Sequence, residues 1–184
     1  MFVGELRELK GVAILCSAIE LLRAEFPVRL LITGSGPDED TLRSWVQDRG
    51  LEKSIVFAPP VRRAAEAFSA GRCVVVPSLA ESFPYVVLEA AAAARPMVAT
   101  KVGGIPEIVG PWADQLVPPG DVLALAARLR QFLADPAAAE ADASLLACHI
   151  QSRYTVEAMA ASVGHFYRCV TTNGQRPWPA LTSM

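Results

Sequence analysis

Short, uninterrupted apolar runs alternate with helical patterns along most of this 184-residue chain. The runs predicted as strands are residues 1–4, 28–33, 55–58, 74–77, 97–100 and 115–117. They are continuous rather than alternating in polarity, as expected of strands covered on both faces. The segments predicted as helices lie between them, at about residues 11–25, 38–49, 62–70, 85–95 and 121–134, and Gly50 is expected to form the C-terminal cap of the second. This alternation predicts an α/β fold, a three-layer parallel sheet with helices on both faces.

The chain beyond about residue 121 shows only helical patterns, divided by Asp135-Pro136. We use the name C-terminal stripe for a row of apolar residues at helical spacing: Val156, Met159, Ala160, Val163, Phe166, Tyr167 and Val170. An exposed stripe of this size is typical of an interaction surface or of a segment prone to aggregation. Periodicity is lost from Thr171, so we predict one domain over residues 1–170 and a loosely ordered tail over residues 171–184.

Composition excludes several classes of function. The net charge is −2, so no basic surface favours nucleic acid or an anionic membrane. No apolar run approaches the roughly 20 residues of a membrane span, and the first residues lack the pattern of a signal peptide. The four cysteines are dispersed, without a CxxC pair. That spacing argues against a zinc site and predicts reduced thiols in a cytoplasmic protein.

Two glutamates frame the most informative segment, Glu81-Ser-Phe-Pro-Tyr-Val-Val-Leu-Glu89. It follows a predicted strand, which places Glu81 in a loop and Glu89 about one turn inside the next helix. Ligands of open parallel sheets bind outside the carboxyl ends of the strands. Carboxylates there suit a neutral polyol such as a ribose or a hexose, because they accept hydrogen bonds from vicinal hydroxyls. The alternative is structural: an acid near a helix N-terminus is favoured by the helix dipole, and Glu81 is a solvated loop residue.

Three further motifs lie at strand ends or helix starts. Gly34-Ser35-Gly36-Pro37 would let a phosphate approach the backbone, but it lacks the third glycine of a nicotinamide fingerprint. Gly103-Gly104 is most simply a tight turn. Asp38-Glu39-Asp40 has the form of a metal-binding DxD motif, yet its position in the first turn of a helix favours capping. We therefore assign no metal and no cofactor.

Taken in order, these motifs resemble a known family. They are Phe2-Val3-Gly4-Glu5-Leu6, Lys10-Gly11, Leu31 to Pro37, Val76-Pro77-Ser78, Glu81 to Glu89, Val98 to Glu107 and Leu116 to Asp121. The chain resembles the C-terminal, donor-binding domain of retaining GT-B glycosyltransferases of the family-4 type (glycosyl transferases group 1). The resemblance implies a Rossmann-like half of a GT-B fold, a nucleotide-sugar donor, transfer of the sugar with retention, and a role in polysaccharide or glycoconjugate biosynthesis.

The resemblance also implies roles for individual residues. Glu89 matches the acid that holds the ribose hydroxyls, and Glu81 matches the catalytic acid beside the donor sugar. Lys10 matches the lysine that neutralises the diphosphate. The loop Ser82-Phe83-Pro84-Tyr85 would offer backbone N–H groups at a helix start to the same diphosphate. Gly34, Gly103 and Gly104 are expected near the donor.

The chain departs from the family pattern in two ways. Glu5 stands where the family usually has an arginine that binds the diphosphate. Arg7 could compensate, because residues two apart on an extended segment share a face. The N-terminal acceptor domain is also absent, so the expected partner is such a domain or a partner subunit. Any peripheral membrane association would arise only through that half.

Other interpretations remain open. A non-catalytic or truncated nucleotide-sugar-binding module, acting only with a partner, would explain Glu5 and the missing half. A related epimerase of the same two-domain architecture fits the order of motifs less well. The chain lacks both a G-x-S-x-G elbow and a phosphate loop of the Walker type. On any of these readings, the isolated chain is expected to be inactive in sugar transfer.

Overall fold

The computed structural model describes residues 1–173 of the chain. Its strands are β1 (Phe2–Val3), β2 (Leu30–Thr33), β3 (Ile55–Ala58), β4 (Val74–Val76) and β5 (Met97–Ala99). β1 pairs with β2, β2 with β3 and β4 with β5, and each of these pairs is parallel. The parallel sheet predicted from the continuous apolar runs is confirmed, although each strand is shorter than or equal to its predicted run.

Backbone hydrogen bonds next to Met1 connect β1 with β4. The Val75 N–H donates to the Met1 carbonyl at 2.8 Å, and the Met1 ammonium donates to the Cys73 carbonyl at 2.6 Å. The strand ladders form a three-stranded sheet, β1-β2-β3, and a two-stranded sheet, β4-β5. Because the bonds of Met1 place β4 beside β1, the combined strand order is β3-β2-β1-β4-β5, and the order reverses between β1 and β4. The predicted strand 115–117 is reduced to one parallel bridge between Thr100 and Val117, because a 3₁₀ helix occupies Gly110–Gln115.

Eight α-helices lie within residues 1–173. They are α1 (Val12–Leu22), α2 (Glu39–Asp48), α3 (Ala64–Ala67), α4 (Tyr85–Ala92), α5 (Ile105–Val109), α6 (Val122–Ala134), α7 (Pro136–Arg153) and α8 (Val156–Asn173). The predicted helix 62–70 is divided into α3 and the 3₁₀ helix Phe68–Ala70. The sequence analysis missed α5, which is only five residues long and has proline in its first turn.

The helix ends have local causes. Asp121 and Asp135 accept hydrogen bonds from the N–H groups of Ala124 and Ala138, at 2.8 and 3.0 Å, and so cap α6 and α7. Gly50 follows α2 with a left-handed backbone (φ 61°), as predicted for a C-terminal cap. The prediction that the acidic residues 38–40 cap α2 is wrong for Asp38. The Asp38 side chain makes no cap hydrogen bond, although the next two acids do lie in the first turn.

The core lies between the sheet and the helices. α1 packs on α2 and α6, whereas α4 packs on α3 and α5. Leu6, Leu15, Leu22 and Ile32 are fully buried, and the larger set of buried apolar side chains is continuous across β1, β2, β3 and α1. Burying one such side chain stabilises the fold by about 1.5–3 kcal/mol, so the sheet is a firm platform for the loops at its carboxyl edge.

By its internal contacts the chain divides into two compact units, Met1–Ile150 and Gln151–Met184. The first contains the sheet, and the second contains α8. The domain boundary that we expect near residue 170 stays a prediction. α8 reaches Asn173, three residues into the predicted tail, and the remainder of that tail lies outside the described residues.

The C-terminal stripe lies on α8 and is exposed. Val156, Met159 and Tyr167 expose 73%, 63% and 64% of their surface. Thr155 begins this helix by accepting a hydrogen bond from the Ala158 N–H at 3.0 Å. None of the helices in residues 1–173 is long and apolar enough to cross a membrane.

Candidate functional site

The loops that follow β1 and β4 meet where the strand order changes direction. The Leu79 N–H donates to the Leu9 carbonyl at 2.8 Å. Gly11 has a left-handed backbone (φ 66°), and a Cβ built on it would overlap with the backbone carbonyl of Pro77. The close approach therefore requires glycine at this position. It brings the side chain of Lys10 to the loop after β4, in the part of a parallel sheet where ligands bind.

Lys10 and Glu81, 71 positions apart in sequence, form an ion pair. The Lys10 ammonium donates to Glu81 Oε1 at 2.7 Å, and the Ser78 hydroxyl donates to the same oxygen at 2.8 Å. The side chain of Glu81 is only 10% exposed, whereas that of Lys10 is 30% exposed. Two of the predicted site residues thus come together in a partly buried cluster. A charge-assisted hydrogen bond in such surroundings is stronger than one in water.

The two glycines after β5 support the loop of Glu81. A Cβ on Gly103 (φ 50°) would lie 2.6 Å from the Glu81 carbonyl carbon, and one on Gly104 would lie 2.9 Å from the ring of Phe83. The Gly104 N–H donates to the Ser82 carbonyl at 2.8 Å. The tight turn predicted for Gly103-Gly104 is therefore present, and the structure brings both glycines to the predicted donor loop.

Helix α4 begins at Tyr85, as predicted, with the buried Pro84 immediately before it. The Val87 N–H donates to the Pro84 carbonyl at 3.1 Å. The N–H groups of Tyr85 and Val86 have no acceptor within the helix, so they can bind an anion. Phe83 and Tyr85 flank this helix start and are 37% and 75% exposed. Glu89 lies one turn further along α4 and is exposed, without a recorded side-chain partner among residues 1–173. Both predicted acids are thus on the carboxyl side of β4.

Arg7 lies on the same loop as Lys10. Its guanidinium is 3.5 Å from the carboxylate of Glu5, and both side chains are about half exposed. The expectation that residues 5 and 7 share a face is confirmed. An exposed pair of this kind contributes little to stability, so Arg7 can exchange its partner at small cost.

Gly34 has a structural explanation. A Cβ on Gly34 would collide with the backbone carbonyl of Gly4, and one on Gly36 would collide with the backbone of Leu6. These glycines allow the loops after β1 and β2 to pack against each other. The contacts recorded for Gly34 do not include Lys10 or Glu81, so its role in donor binding stays a prediction.

Sequence reasoning had quoted Ser78 and Thr100 only as members of longer motifs. Ser78 is 1% exposed, Thr100 is 2% exposed, and the Thr100 hydroxyl donates to the Ser78 carbonyl at 2.6 Å. Both are hydroxyl residues at the carboxyl end of a wholly apolar strand. A polar residue in that position must find a hydrogen-bond partner, and this is the pattern that could have identified them.

The shifted pKa values belong to groups away from this loop cluster. Burial raises the pKa of the Cys16 thiol to about 12 and that of the Cys73 thiol to about 11. Burial also lowers the pKa of the Met1 α-amino group. Within residues 1–173 no three His, Cys, Asp or Glu side chains are grouped as metal ligands. The chemistry available at the site is therefore that of one lysine, one arginine, two glutamates, a serine hydroxyl and a helix start.

The family model described as "Glycosyl transferases group 1" matches residues 1–135. The chain belongs to this family. The resemblance stated from the motifs is thereby confirmed, and so is the Rossmann-like half of a GT-B fold.

Curated relatives of this glycosyl transferase domain are considerably longer. A D-inositol 3-phosphate glycosyltransferase from Pseudarthrobacter chlorophenolicus is 42% identical over 112 residues, which are 57% of this chain and 27% of the relative. A glycogen synthase from Mycobacterium tuberculosis is 30% identical, covering 98% of this chain and 45% of the relative. The matched parts thus make up between about a quarter and a half of the length of these relatives.

Solved structures agree with this assignment. Sucrose-phosphate synthase from Thermosynechococcus elongatus has a TM-score of 0.80 at 31% identity, over 92% of this chain and 44% of that one. The C-terminal domain of a group 1 glycosyl transferase (LpcC) from Francisella tularensis has a TM-score of 0.73 at 25% identity. The match covers 84% of this chain and 85% of that one. HepE from Anabaena, solved with UDP, has a TM-score of 0.81, and the match covers 91% of this chain and 48% of that one. At 23% identity this likeness supports the fold alone.

Proposed function

We propose that this chain is the donor-binding half of a glycosyltransferase that uses a nucleoside diphosphate sugar and transfers the sugar with retention of configuration. This proposal rests on the contact of Lys10 with Glu81, which joins the loops that follow the neighbouring strands β1 and β4. Family membership supports sugar transfer. A lysine next to a helix start suits the diphosphate of a nucleotide donor.

Each polar group has a role in this proposal. Lys10, Arg7 and the N–H groups at the start of α4 bind the diphosphate and stabilise the departing nucleotide, which is the stabilisation a transferase requires. Glu89 accepts hydrogen bonds from the ribose hydroxyls. Glu81 lies beside the sugar and accepts from its hydroxyls. Binding needs no divalent metal, because lysine, arginine and helix N–H groups supply the positive charge.

The acceptor side of the reaction comes from outside this chain. Both relatives are a little more than twice as long as this chain, because 112 residues are 27% of one and 185 residues are 45% of the other. Within residues 1–173 no further Rossmann-like unit is present. We propose that an N-terminal GT-B domain or a partner subunit supplies the acceptor site and the remaining catalytic groups. The exposed C-terminal stripe on α8 is the surface proposed to contact it.

Titration calorimetry tests donor binding. UDP-, GDP- and ADP-glucose are titrated into the 184-residue chain, with and without Mg²⁺ and with EDTA. We expect one of the three to bind, with equal affinity in all three conditions. Glu89→Ala should weaken that binding by about 1–3 kcal/mol, the cost of losing a hydrogen-bonding partner. Glu52→Ala removes an exposed carboxylate from the loop before β3 and is the matched control. Equal affinity in both variants would exclude the ribose assignment.

The second candidate, a non-catalytic binding module, is favoured by Glu5 at the position of the family's arginine. Salt-dependent titration with the bare nucleoside diphosphate separates the two. In a working site, Arg7→Ala weakens binding, and the loss shrinks with salt because charges at this distance are screened over about 8 Å at physiological ionic strength. In a degenerate site Glu5→Arg strengthens binding and Arg7→Ala has little effect. Arg29→Ala, an exposed arginine at the opposite edge of the sheet, is the control.

A further inference from the structure

Two donors converge on one oxygen of Glu81. The Lys10 ammonium and the Ser78 hydroxyl both donate to Oε1, at 2.7 and 2.8 Å. Within residues 1–173 no donor is recorded for Oε2. An ionised carboxylate has about four acceptor positions, so Oε2 is available to a ligand. The side of Glu81 that faces the protein is therefore satisfied by one mobile cation and one fixed hydroxyl.

The two donors differ in how firmly they are held. Lys10 is 30% exposed and ends a flexible chain of four carbons. Ser78 is 1% exposed, and its own backbone carbonyl accepts a hydrogen bond from the Thr100 hydroxyl at 2.6 Å. The Val76 carbonyl, 3.3 Å from the Thr100 hydroxyl oxygen, is a weaker second acceptor for the same O–H group, so the loop is connected to the end of β4. The Ser78 side chain is thus fixed in place, whereas the Lys10 ammonium can move toward a bound ligand.

A bound diphosphate competes for the lysine. It carries more charge than one carboxylate and draws the three N–H donors of Lys10 toward its oxygens. The hydrogen bond from Lys10 to Glu81 then weakens, although Glu81 must keep a defined position beside the sugar while the donor is bound. Misplacing a reacting or binding group by about 1 Å is enough to cost a large factor in function.

We propose that Ser78 is the positioning residue of the donor site: its buried hydroxyl keeps Glu81 oriented toward the sugar when the diphosphate engages Lys10. This inference rests on the proposed function. Ser78 acts through Glu81 and does not touch the donor. It therefore governs how much the sugar adds to affinity, and the nucleoside diphosphate alone binds equally well without it.

The test compares two affinities of the 184-residue chain, for a nucleoside diphosphate and for the corresponding diphosphate-glucose, with the base (uridine, guanosine or adenosine) that the calorimetric panel selects. The dissociation constant of the nucleoside diphosphate divided by that of the diphosphate-glucose reports the contribution of the sugar to affinity. Ser78→Ala should lower this ratio by about threefold to tenfold, the factor for one lost hydrogen bond, without changing the affinity for the diphosphate. Ser144→Ala is the matched control, because its hydroxyl bonds only to a carbonyl in its own helix.

A double-mutant cycle with Glu81→Ala separates positioning from a structural effect. If Ser78 acts through Glu81, then Ser78→Ala has no further effect on the ratio once Glu81 is absent. Circular dichroism verifies folding. If the alanine variant does not fold, Ser78→Cys replaces it, because a thiol keeps the shape of the side chain and is a much weaker donor.

Three outcomes overturn the inference. An equal loss of affinity for both ligands assigns Ser78 a structural role only. Wild-type affinity of Ser78→Ala for both ligands excludes positioning, while donor binding itself stands. Failure of the wild-type chain to bind any of the ligands refutes the proposed function, and this inference with it.

Discussion

Replacing Gly103 with alanine should damage the candidate site by moving the loop of Glu81. Gly103 has a left-handed backbone, and its Cα faces the carbonyl of Glu81, so a Cβ would lie 2.6 Å from that carbonyl carbon. The Gly104 N–H, one residue on, donates to the Ser82 carbonyl at 2.8 Å. The added methyl group cannot be accommodated unless the two loops separate.

Gly50→Ala provides a matched control for the size of the effect. Gly50 also has a left-handed backbone (φ 61°), but a Cβ built on it meets no heavy atom within 4 Å. Both variants incur the left-handed penalty of about 1–2 kcal/mol and gain equally from a stiffer unfolded chain. Only Gly103→Ala adds an overpacking cost of about 1–3 kcal/mol and the loss of a hydrogen bond worth about 1 kcal/mol. The difference between the two variants should therefore be about 2–4 kcal/mol.

Urea denaturation followed by circular dichroism measures this difference. With a slope of about 2 kcal/mol per molar, the midpoint of Gly103→Ala should lie about 1–2 M below that of Gly50→Ala. Donor affinity should fall in Gly103→Ala and stay unchanged in Gly50→Ala. Equal midpoints in the two variants would show that the loop after β4 does not rest on Gly103, and the geometry argued for Glu81 would be wrong.

Three further predictions concern other parts of the chain. Cys148 is exposed and should react with iodoacetamide in the native state, whereas Cys16 and Cys73 should react only after unfolding. Because burial raises the pKa of these two thiols from 9.0 to about 12 and 11, unfolding should become easier as pH rises from about 9 toward 12, as measured by urea midpoints. Because the C-terminal stripe is exposed, the isolated chain should self-associate in sedimentation velocity, and serine substitutions in the stripe should reduce the association. The isolated chain should also show no sugar transfer. Transfer by the purified monomer would contradict this.

The fold was largely predictable because its determinants are local. A continuous apolar run marks a strand covered on both faces, and the segment 74–77 differs from the observed β4 by one residue. Gly50 marked the end of α2 for an equally local reason. The missed α5 and the 3₁₀ helix at Gly110–Gln115 are short and rich in proline and glycine, so they show too little periodicity to be detected.

The candidate site was predictable in its members but not in its contacts. Spacing in the sequence placed Glu81 in a loop and Glu89 inside a helix, and both placements are found. Nothing local indicates that Lys10 reaches Glu81, because that contact depends on β1 lying next to β4. Ser78 was inconspicuous for the same reason: the importance of its hydroxyl follows from the residue it meets across the loop.

The two cations proposed to bind the diphosphate both have carboxylate partners in the structure. Arg7 pairs with Glu5 at 3.5 Å and Lys10 pairs with Glu81 at 2.7 Å. The first pair is about half exposed, so water and salt weaken it, whereas the second is closer and less exposed. A diphosphate should therefore recruit Arg7 first and at little cost. The Lys10–Glu81 pair yields only in part, which is why a donor site arranged in this way benefits from a second, fixed hydrogen bond to Glu81.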